Sequence, residues 1–362
     1  MKNPSLTTFT ITLLWALLSV TGTSIQSQQS DRPRNSVTIN TDLVVTWAQV
    51  TSHKDGKIVK GLERDDFMLK EEGKPQQISL VKEGQPVSVA ILVDGMTCVW
   101  PPELEFQRSH EALRRLGDDA EIALMAWDSD AVLTQSLTRD QNVVASRLGN
   151  KVSFFYALNG PQNNRQDPVR SGRDFYRPGE AIYQAARYLE KSASPERRKI
   201  IIIIAWPHLP LRMAETHRQA AADVSKLIER TGTTIYGLYL TEGRPPRLGG
   251  LFSGSLFSGK EKRRRNGGTI EQFVEQSGGS VLAGEQEKAD ELFIKLTDLI
   301  RSSYTIGYYP QDSNFNGRFR RMSLELSPRG KTKAGKVTIK ARTGYRALRT
   351  SSPAASEIPL QQ

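Results

Sequence analysis

The chain has 362 residues, of which 38% are hydrophobic, and is long enough for two domains with a sizeable core, which excludes a wholly disordered protein. Lysine and arginine number 50 against 39 aspartates and glutamates, and the net charge of +11 would suit an anionic partner. Cys98 is the only cysteine, which excludes an internal disulfide.

The first predicted element is a secretory signal peptide. Lys2 precedes an apolar stretch over residues 6–20, and small and polar residues follow it. The stretch is too short to span a bilayer comfortably. We therefore expect residues 1–27 to be removed and the mature protein to be soluble and secreted or periplasmic. An uncleaved membrane anchor is the alternative.

Strand-rich segments lie at both ends of the remaining chain. Apolar residues mostly alternate over residues 36–85 and again over residues 303–347, which predicts short antiparallel strands. Neither segment alone can bury its apolar face, so we expect them to form one small β-sandwich together. The expected inward-facing residues are Leu43, Val45, Phe67, Leu69, Ile78, Leu80, Tyr304, Ile306, Tyr308, Leu324, Leu326, Val337 and Ile339. Residues 348–362 are polar and predicted to be disordered.

Between these segments, residues 86–302 alternate apolar strands with amphipathic helices, which predicts a doubly wound sheet covered by helices on both faces. Two stretches rich in Gly, Pro, Asn and Arg interrupt the pattern, residues 160–177 and 242–266. We expect both to be mobile insertions, because few apolar side chains offset the entropy of ordering them. The second insertion contains the densest basic cluster, residues 260–265.

Several phrases agree in order and spacing with one protein family. They are GLERDDFMLKEEGKPQQISLV before the strand that ends at Asp94, the hairpin ALMAWDSDAVLTQSLTRD, GEAIYQAA, and YTIGYYP followed by KVTIKARTGYRA. Together they resemble the bacterial VWFA-related domain proteins over residues 37–347. The resemblance implies an α/β fold, in which a doubly wound, mostly parallel Rossmann-like sheet of the von Willebrand factor type A kind is inserted in the small antiparallel β-sandwich.

Typical type A domains hold a divalent cation at one end of the sheet through a D-x-S-x-S turn, a threonine and a second aspartate, because Mg²⁺ prefers small oxygen ligands. Only Asp94 matches this set. Met96 and Cys98 replace the two serines with soft sulfur groups, Glu180 stands at the threonine position, and Trp206 replaces the second aspartate. The resemblance therefore implies a degenerate metal-ion adhesion site, and we expect no bound metal or other cofactor.

Two interpretations of Asp94 remain open. In the first, Asp94 and Glu180 form a rebuilt cation site, with Asp128 or Asp130 as further ligands, since all would lie near the carboxyl ends of strands. In the second, the short side chain of Asp94 accepts hydrogen bonds from the following turn. We favour the second interpretation, because a hard cation needs about six oxygen ligands.

The loss of these ligands predicts an apolar surface at the same place. Met96 and Trp100 follow the first strand of the type A segment, while Trp206, His208 and Leu209 follow its central strand. Both loops would leave the same end of a parallel sheet. Aromatic residues and Met framed by prolines are typical of protein–protein hot spots, so we predict partner binding there. In the alternative, the two tryptophans pack on each other and fill the vacated cleft.

An enzymatic function is not expected from this sequence. The four histidines are scattered, and a nucleophilic pair of Cys98 with His208 is the one alternative, although a lone cysteine is more often a small buried hydrophobe. We therefore predict a non-catalytic adhesion or scaffold module that binds an unknown protein or peptide and no nucleic acid. Contact of residues 260–265 with envelope lipid or polysaccharide is the alternative function.

Overall fold

The computed structural model describes residues 43–94, 106–127, 131–149, 178–205, 218–241 and 270–348. The predicted signal peptide, the two predicted insertions 160–177 and 242–266, and the tail beyond Leu348 lie outside these residues. None of the described helices is long and apolar enough to cross a membrane.

The described strands are β1 (Val44–Ser52), β2 (Phe67–Glu71), β3 (Lys74–Gln76), β4 (Ile78–Glu83), β5 (Val87–Asp94), β6 (Glu121–Trp127), β7 (Ala131–Thr138), β8 (Arg198–Ala205), β9 (Thr234–Thr241), β10 (Val281–Glu285), β11 (Tyr304–Tyr308), β12 (Phe319–Leu326), β13 (Val337–Ala341) and β14 (Gly344–Arg346). The described α-helices are α1 (Ser109–Arg115), α2 (Gln141–Gly149), α3 (Pro178–Ser192), α4 (Arg218–Thr231), α5 (Ile270–Ser277), α6 (Ala289–Arg301) and α7 (Pro328–Ala334).

The middle of the chain forms a six-stranded sheet in the order β10-β9-β8-β5-β6-β7. All neighbouring strands are parallel except β7, which returns antiparallel to β6 in a hairpin. If these six strands are numbered 1 to 6 along the chain, from β5 to β10, the order read from the β7 edge is 3-2-1-4-5-6. This is the doubly wound arrangement. The predicted fold class is therefore confirmed.

The central strands are apolar on both faces because helices cover both faces of the sheet. Every position of β5 is buried. Val89, Ile91 and Val93 point into one core, which α1, α2 and α6 complete, whereas Ala90 and Leu92 point into a second core, which α3, α4 and α5 complete. Strict alternation of side chains along a strand produces these two cores from one continuous apolar run.

Strands from both ends of the chain build the sandwich, as predicted. One sheet has the order β13-β1-β11-β4 and the other β14-β12-β2-β3, so every sheet mixes strands from before and after the α/β segment. A single apolar cluster fills the space between them and includes Phe67, Leu69, Tyr304, Ile306 and Tyr308. The chain enters the α/β segment after β4 and leaves it before β11, and Glu83 pairs with Tyr304 across these two strands.

The predicted inward-facing set was wrong at three residues. In β1 the core-facing residues are Val44, Ala48 and Val50, while Val45 is only partly buried and faces away from this core. The sequence VVTWAQV is apolar in both phases because β1 lies between two buried layers, so periodicity could not fix its register. The side chains of Leu43 and Leu80 both lie beside Gly307. The register between β4 and β11 is irregular at this point, so Leu80 does not face the same core as Ile78.

The two sheets of the sandwich are joined at both lateral edges. Only Gln77 separates β3 from β4, and only Arg342 and Thr343 separate β13 from β14. Each pair is thus one bent strand that leaves one sheet and enters the other. The sandwich therefore approaches a flattened barrel, in which edge strands continue into each other.

The sandwich packs against the amino ends of the parallel strands. Gln49 of β1 donates from Nε2 to the hydroxyl of Tyr236 at 2.5 Å and accepts from the hydroxyl of Ser280 at 2.7 Å. Arg198, at the start of β8, donates to the same Tyr236 hydroxyl at 2.7 Å and lies over the ring of Trp47, 5.4 Å from its centre. These buried contacts leave the opposite, carboxyl edge of the sheet uncovered by the sandwich.

The sandwich and the α/β layer approach each other closely at Gly278, which follows α5 and has a φ of +78°. A Cβ atom at this position would lie 2.4 Å from the backbone nitrogen of Arg342. No side chain fits that gap, and an L-residue would also be strained at this φ. Glycine is therefore required where the bent strand β13–β14 touches the α/β layer.

Candidate binding site at the carboxyl edge of the sheet

The carboxyl ends of four adjacent strands define the candidate site. Asp94 at the end of β5 pairs in register with Trp127 at the end of β6, and Ala205 at the end of β8 pairs with Tyr239 of β9. β5 and β8 are themselves neighbours. Ligands of open doubly wound sheets bind at this edge, where the strand order reverses, and here the reversal lies between β5 and β8.

Asp94 is 3% exposed and is the last described residue before the predicted binding loop. Its position at the junction of β5 and β8 is the one that the family resemblance implies. Asp94 makes at least one polar or electrostatic contact within the protein.

Glu180 lies in the first turn of α3 and is partly exposed. Its Oε1 atom accepts a hydrogen bond from Nε2 of Gln184 at 3.1 Å, and Oε1 of Gln184 accepts from the backbone nitrogen of Ala131 at 2.7 Å. Glu180 thus belongs to a chain of hydrogen bonds that fastens α3 to the edge strand β7. An acidic group in the first helical turn is also favoured by the helix dipole.

The remaining predicted site residues lie outside the described residues. These are Met96, Cys98, Trp100, Trp206, His208 and Leu209, together with the two weaker cation candidates Asp128 and Asp130. Among the residues that are described, no group of three or more His, Cys, Asp or Glu side chains is placed to hold a metal ion. His53 lies in the exposed turn after β1 and His110 lies in α1.

Two aromatic residues at this edge were missed by sequence reasoning. Trp127 is 1% exposed and Tyr239 is 3% exposed, and both belong to the apolar core on the side of α3, α4 and α5, with Met125 and Ala205. Trp127 ends β6 and Tyr239 lies two residues before the end of β9, and the strand pattern explained both without a further role. The predicted alternation of strands and helices could have identified them, because each lies near the carboxyl end of a strand that leads to this edge.

The hydroxyl of Tyr239 donates to Oε1 of Glu271 at 3.2 Å. Burial raises the pKa of Tyr239, and the negative charge of Glu271 raises it further, so the phenol stays protonated at neutral pH. Glu271 lies in the first turn of α5. The described residues at this edge therefore include two buried aromatic side chains, Trp127 and Tyr239, together with the carboxylates of Asp94, Glu180 and Glu271.

No family model matches the chain, and no curated protein matches it. Solved structures that align with it include an aerotolerance-related membrane protein from Bacteroides fragilis, at 17% identity over 59% of this chain and 98% of that chain, with a TM-score of 0.35. BatB from Bacteroides thetaiotaomicron aligns at 16% identity over 58% and 98% of the two chains, with a TM-score of 0.31. The VWA domain of SpRpn10 aligns at 12% identity over 57% and 93%, with a TM-score of 0.32.

These likenesses are low, and the assignment of the fold rests on the strand order and on the hairpin that places β7 antiparallel at the sheet edge. Both features lie where the phrases that carry the family resemblance predict them. The order of strands, the two helical layers and the insertion between the halves of a β-sandwich are those expected. The described residues therefore form a doubly wound α/β sheet inserted between the halves of a β-sandwich, which is the arrangement that the resemblance implies.

Proposed function

We propose that the protein is an exported, non-catalytic interaction module that binds a protein or peptide at the carboxyl edge of its central sheet, without an obligatory divalent cation. The observation that carries this proposal is that the sandwich packs against the amino edge of the central sheet and not against the carboxyl edge. The sandwich occupies the amino edge through Gln49, Tyr236 and Arg198, so the carboxyl edge remains for a partner.

The chemistry at the carboxyl edge supports binding through apolar contact. Trp127 and Tyr239 are buried in the apolar core beneath this edge. The predicted binding loops follow Asp94 and Ala205 in the sequence, and these two residues end adjacent parallel strands. The loops carry Trp100 and Trp206, and aromatic residues of this kind dominate the energy of protein interfaces.

Independence from a cation is supported by the residues at the expected ligand positions. Sulfur groups and an indole replace three oxygen ligands in the sequence, and Glu180 is hydrogen-bonded to Gln184. Mg²⁺ binding demands near-octahedral oxygen coordination, which these groups do not supply. Export is supported by the predicted signal peptide alone.

A pull-down from the native envelope fraction tests the function. Mature wild-type protein should capture a partner equally in EDTA and in Mg²⁺, and the double variant Trp100→Ala, Trp206→Ala should lose at least 90% of it, roughly the effect of one hot-spot residue. Tyr309→Ala is the matched control, because Tyr309 is an aromatic residue that is 54% exposed on the sandwich. Capture that survives the double variant, or that EDTA abolishes, contradicts the proposal.

A further inference from the structure

One end of the sandwich carries a dense basic surface, which we name the basic end. It comprises two segments, residues 53–66 and 328–336, which are far apart in sequence. The backbone nitrogen of His53 donates to the carbonyl of Lys336 at 2.9 Å, and Nζ of Lys333 donates to the carbonyl of Gly61 at 2.6 Å. These bonds hold the two segments side by side at the surface.

The acidic groups of the basic end are already matched by some of its cations. The two segments contain eight Lys and Arg residues and four Asp and Glu residues. Buried Asp66 lies 3.2 Å from Arg329 and 3.3 Å from Lys333, and Asp55 lies 3.4 Å from Lys57. Glu63 pairs with Arg329, and Asp65 pairs with Arg64. The carboxylates of the two segments therefore neutralise half of their charge, and Glu83, which accepts from the nitrogen of Gly61 at 2.7 Å, is a further carboxylate beside them.

Four lysines are left over. Lys54, Lys60, Lys331 and Lys336 are exposed, and none forms an ion pair with another described residue. The bonds given above join the segments that carry these lysines, so all four lysines lie on segments at one end of the sandwich. A surface salt bridge would stabilise the fold only slightly, so these charges are not explained by folding.

The chemistry of this surface favours a polyanionic sheet over a discrete ligand. Lysine is a point charge on a flexible stem, whereas recognition of a single phosphate or carboxylate uses the bidentate fork of arginine in a pocket. The four unmatched cations are all lysines. Among the described residues of the two segments there is no Phe, Tyr or Trp on which a nucleic-acid base could stack. Lysines clustered at an exposed end are what anionic phospholipid head groups attract.

We propose that the basic end of the sandwich docks on the head groups of an anionic phospholipid bilayer through Lys54, Lys60, Lys331 and Lys336. This surface lies on the sandwich and is distinct from the carboxyl edge of the α/β sheet. It is also distinct from the basic loop of residues 260–265. The inference stands on described residues, and its outcome is independent of the protein-binding function proposed above.

Co-sedimentation with vesicles tests the proposal. Mature protein should sediment with vesicles of one part anionic to three parts neutral phospholipid at low salt, remain in solution with wholly neutral vesicles, and be released as salt rises to a physiological level. Replacing all four lysines with glutamine should weaken binding about 100-fold or more, since each basic residue near an anionic surface contributes roughly a five-fold gain. Inorganic phosphate at constant ionic strength should not displace the protein.

Two control variants test whether binding depends on where the positive charges lie or only on how many there are. Lys74, Lys82, Lys191 and Lys226 are exposed elsewhere on the described surface, and their replacement with glutamine removes the same net charge. Lys262, Arg263, Arg264 and Arg265 are replaced with glutamine in the third variant. Both controls should keep most of the binding, and thermal unfolding should be the same for all variants because Lys333 and Arg329, which support buried Asp66, are unchanged.

Several outcomes overturn the proposal. One is a basic-end variant that binds anionic vesicles as the wild type does. Another is an equal loss in the matched-charge control, which would show that net charge alone is responsible. A loss confined to the variant of residues 262–265 would assign lipid binding to the loop instead. Binding to acidic polysaccharide or DNA, without binding to anionic vesicles, would assign the surface to another class of polymer.

Discussion

Gln49 and Tyr236 are separated by 187 positions in the chain, yet their side chains share a buried hydrogen bond of 2.5 Å. The Tyr236 hydroxyl also accepts from Arg198, and Gln49 accepts from Ser280. Gln49 of the sandwich is therefore bonded to two residues of the α/β layer, and Tyr236 links it to a third, Arg198. Because each of these polar groups is buried, loss of any member leaves others without a partner.

The first prediction is that Tyr236→Phe destabilises the whole protein. The substitution keeps the ring but removes the acceptor that Gln49 and Arg198 share, and each buried donor left unsatisfied costs about 1–3 kcal/mol. Urea unfolding should show the loss as a lower midpoint. Tyr309→Phe, at an exposed ring, should change the free energy of unfolding by less than about 0.5 kcal/mol. Equal midpoints for Tyr236→Phe and wild type would show that the bond contributes little.

A second prediction concerns Gly278. In Gly278→Ala the new methyl group would overlap the backbone of Arg342 at the bend between β13 and β14, so the sandwich must move away from the α/β layer. We expect a loss of more than about 2 kcal/mol, measured by chemical unfolding. Gly61→Ala is the control, because Gly61 has a similar φ of +75° and no neighbour within 4 Å. It should show the backbone strain alone, about 1–2 kcal/mol.

Glu121 gives a third prediction, on pH. Burial by itself would raise the pKa of this carboxyl, but hydrogen bonds from Ser88, Ser194 and Arg139 outweigh burial and lower the pKa from 4.5 to about 2. Because the folded-state pKa lies below the unfolded value, this contribution to stability is present above pH 4.5 and is lost as the pH falls towards 2. Glu121→Gln should therefore lower stability at pH 7 and narrow its difference from wild type at pH 2.

The measurement for Glu121 is the urea midpoint at several pH values between 7 and 2. Glu287→Gln, which alters an exposed carboxylate, serves as the control and should leave the pH profile of the wild type unchanged. A constant difference between Glu121→Gln and wild type across this range would indicate that the hydrogen bonds matter equally to the charged and the neutral carboxyl.

The fourth prediction is that the purified protein does not bind Mg²⁺ or Mn²⁺ with micromolar affinity. The expected ligand positions carry Met96, Cys98 and Trp206, whose side chains are poor ligands for a hard cation. Calorimetric titration measures this directly. Micromolar binding that Asp94→Ala abolishes would instead establish a rebuilt cation site.

The extent of sequence-based prediction differs between the layers of the molecule. Alternation of strands and helices predicted the doubly wound sheet, since a strand such as β8 with five consecutive isoleucines fits only a position buried on both faces. The helix α7 was not predicted. Its signals were nevertheless present, because Ser327 caps the first turn by accepting from the nitrogen of Gly330, and Pro328 follows at the first helical position.

Features that depend on distant parts of the chain were beyond prediction from periodicity. The phase of β1 could not be chosen because Val44 and Val45 are both apolar and both faces of the strand meet other residues. At the carboxyl edge, the position of Asp94 follows from the resemblance, but the pairing of Trp127 with Asp94 requires the register of two strands. The same holds for Glu180, whose bond to Gln184 fastens a helix to a strand.

The α/β segment begins and ends at neighbouring points of the sandwich, and this arrangement determines how a pulling force would act on the protein. Glu83 and Tyr304, which bracket the α/β layer, are paired across β4 and β11, while the described chain begins at β1 and ends at β14, both within the sandwich. Tension applied between these two ends would therefore pass through the sandwich, with β1 and β11 sheared along their ladder. The α/β layer, with its carboxyl edge, would not lie between the two points of tension. It would therefore stay folded until the hydrogen bonds between β1 and β11 broke.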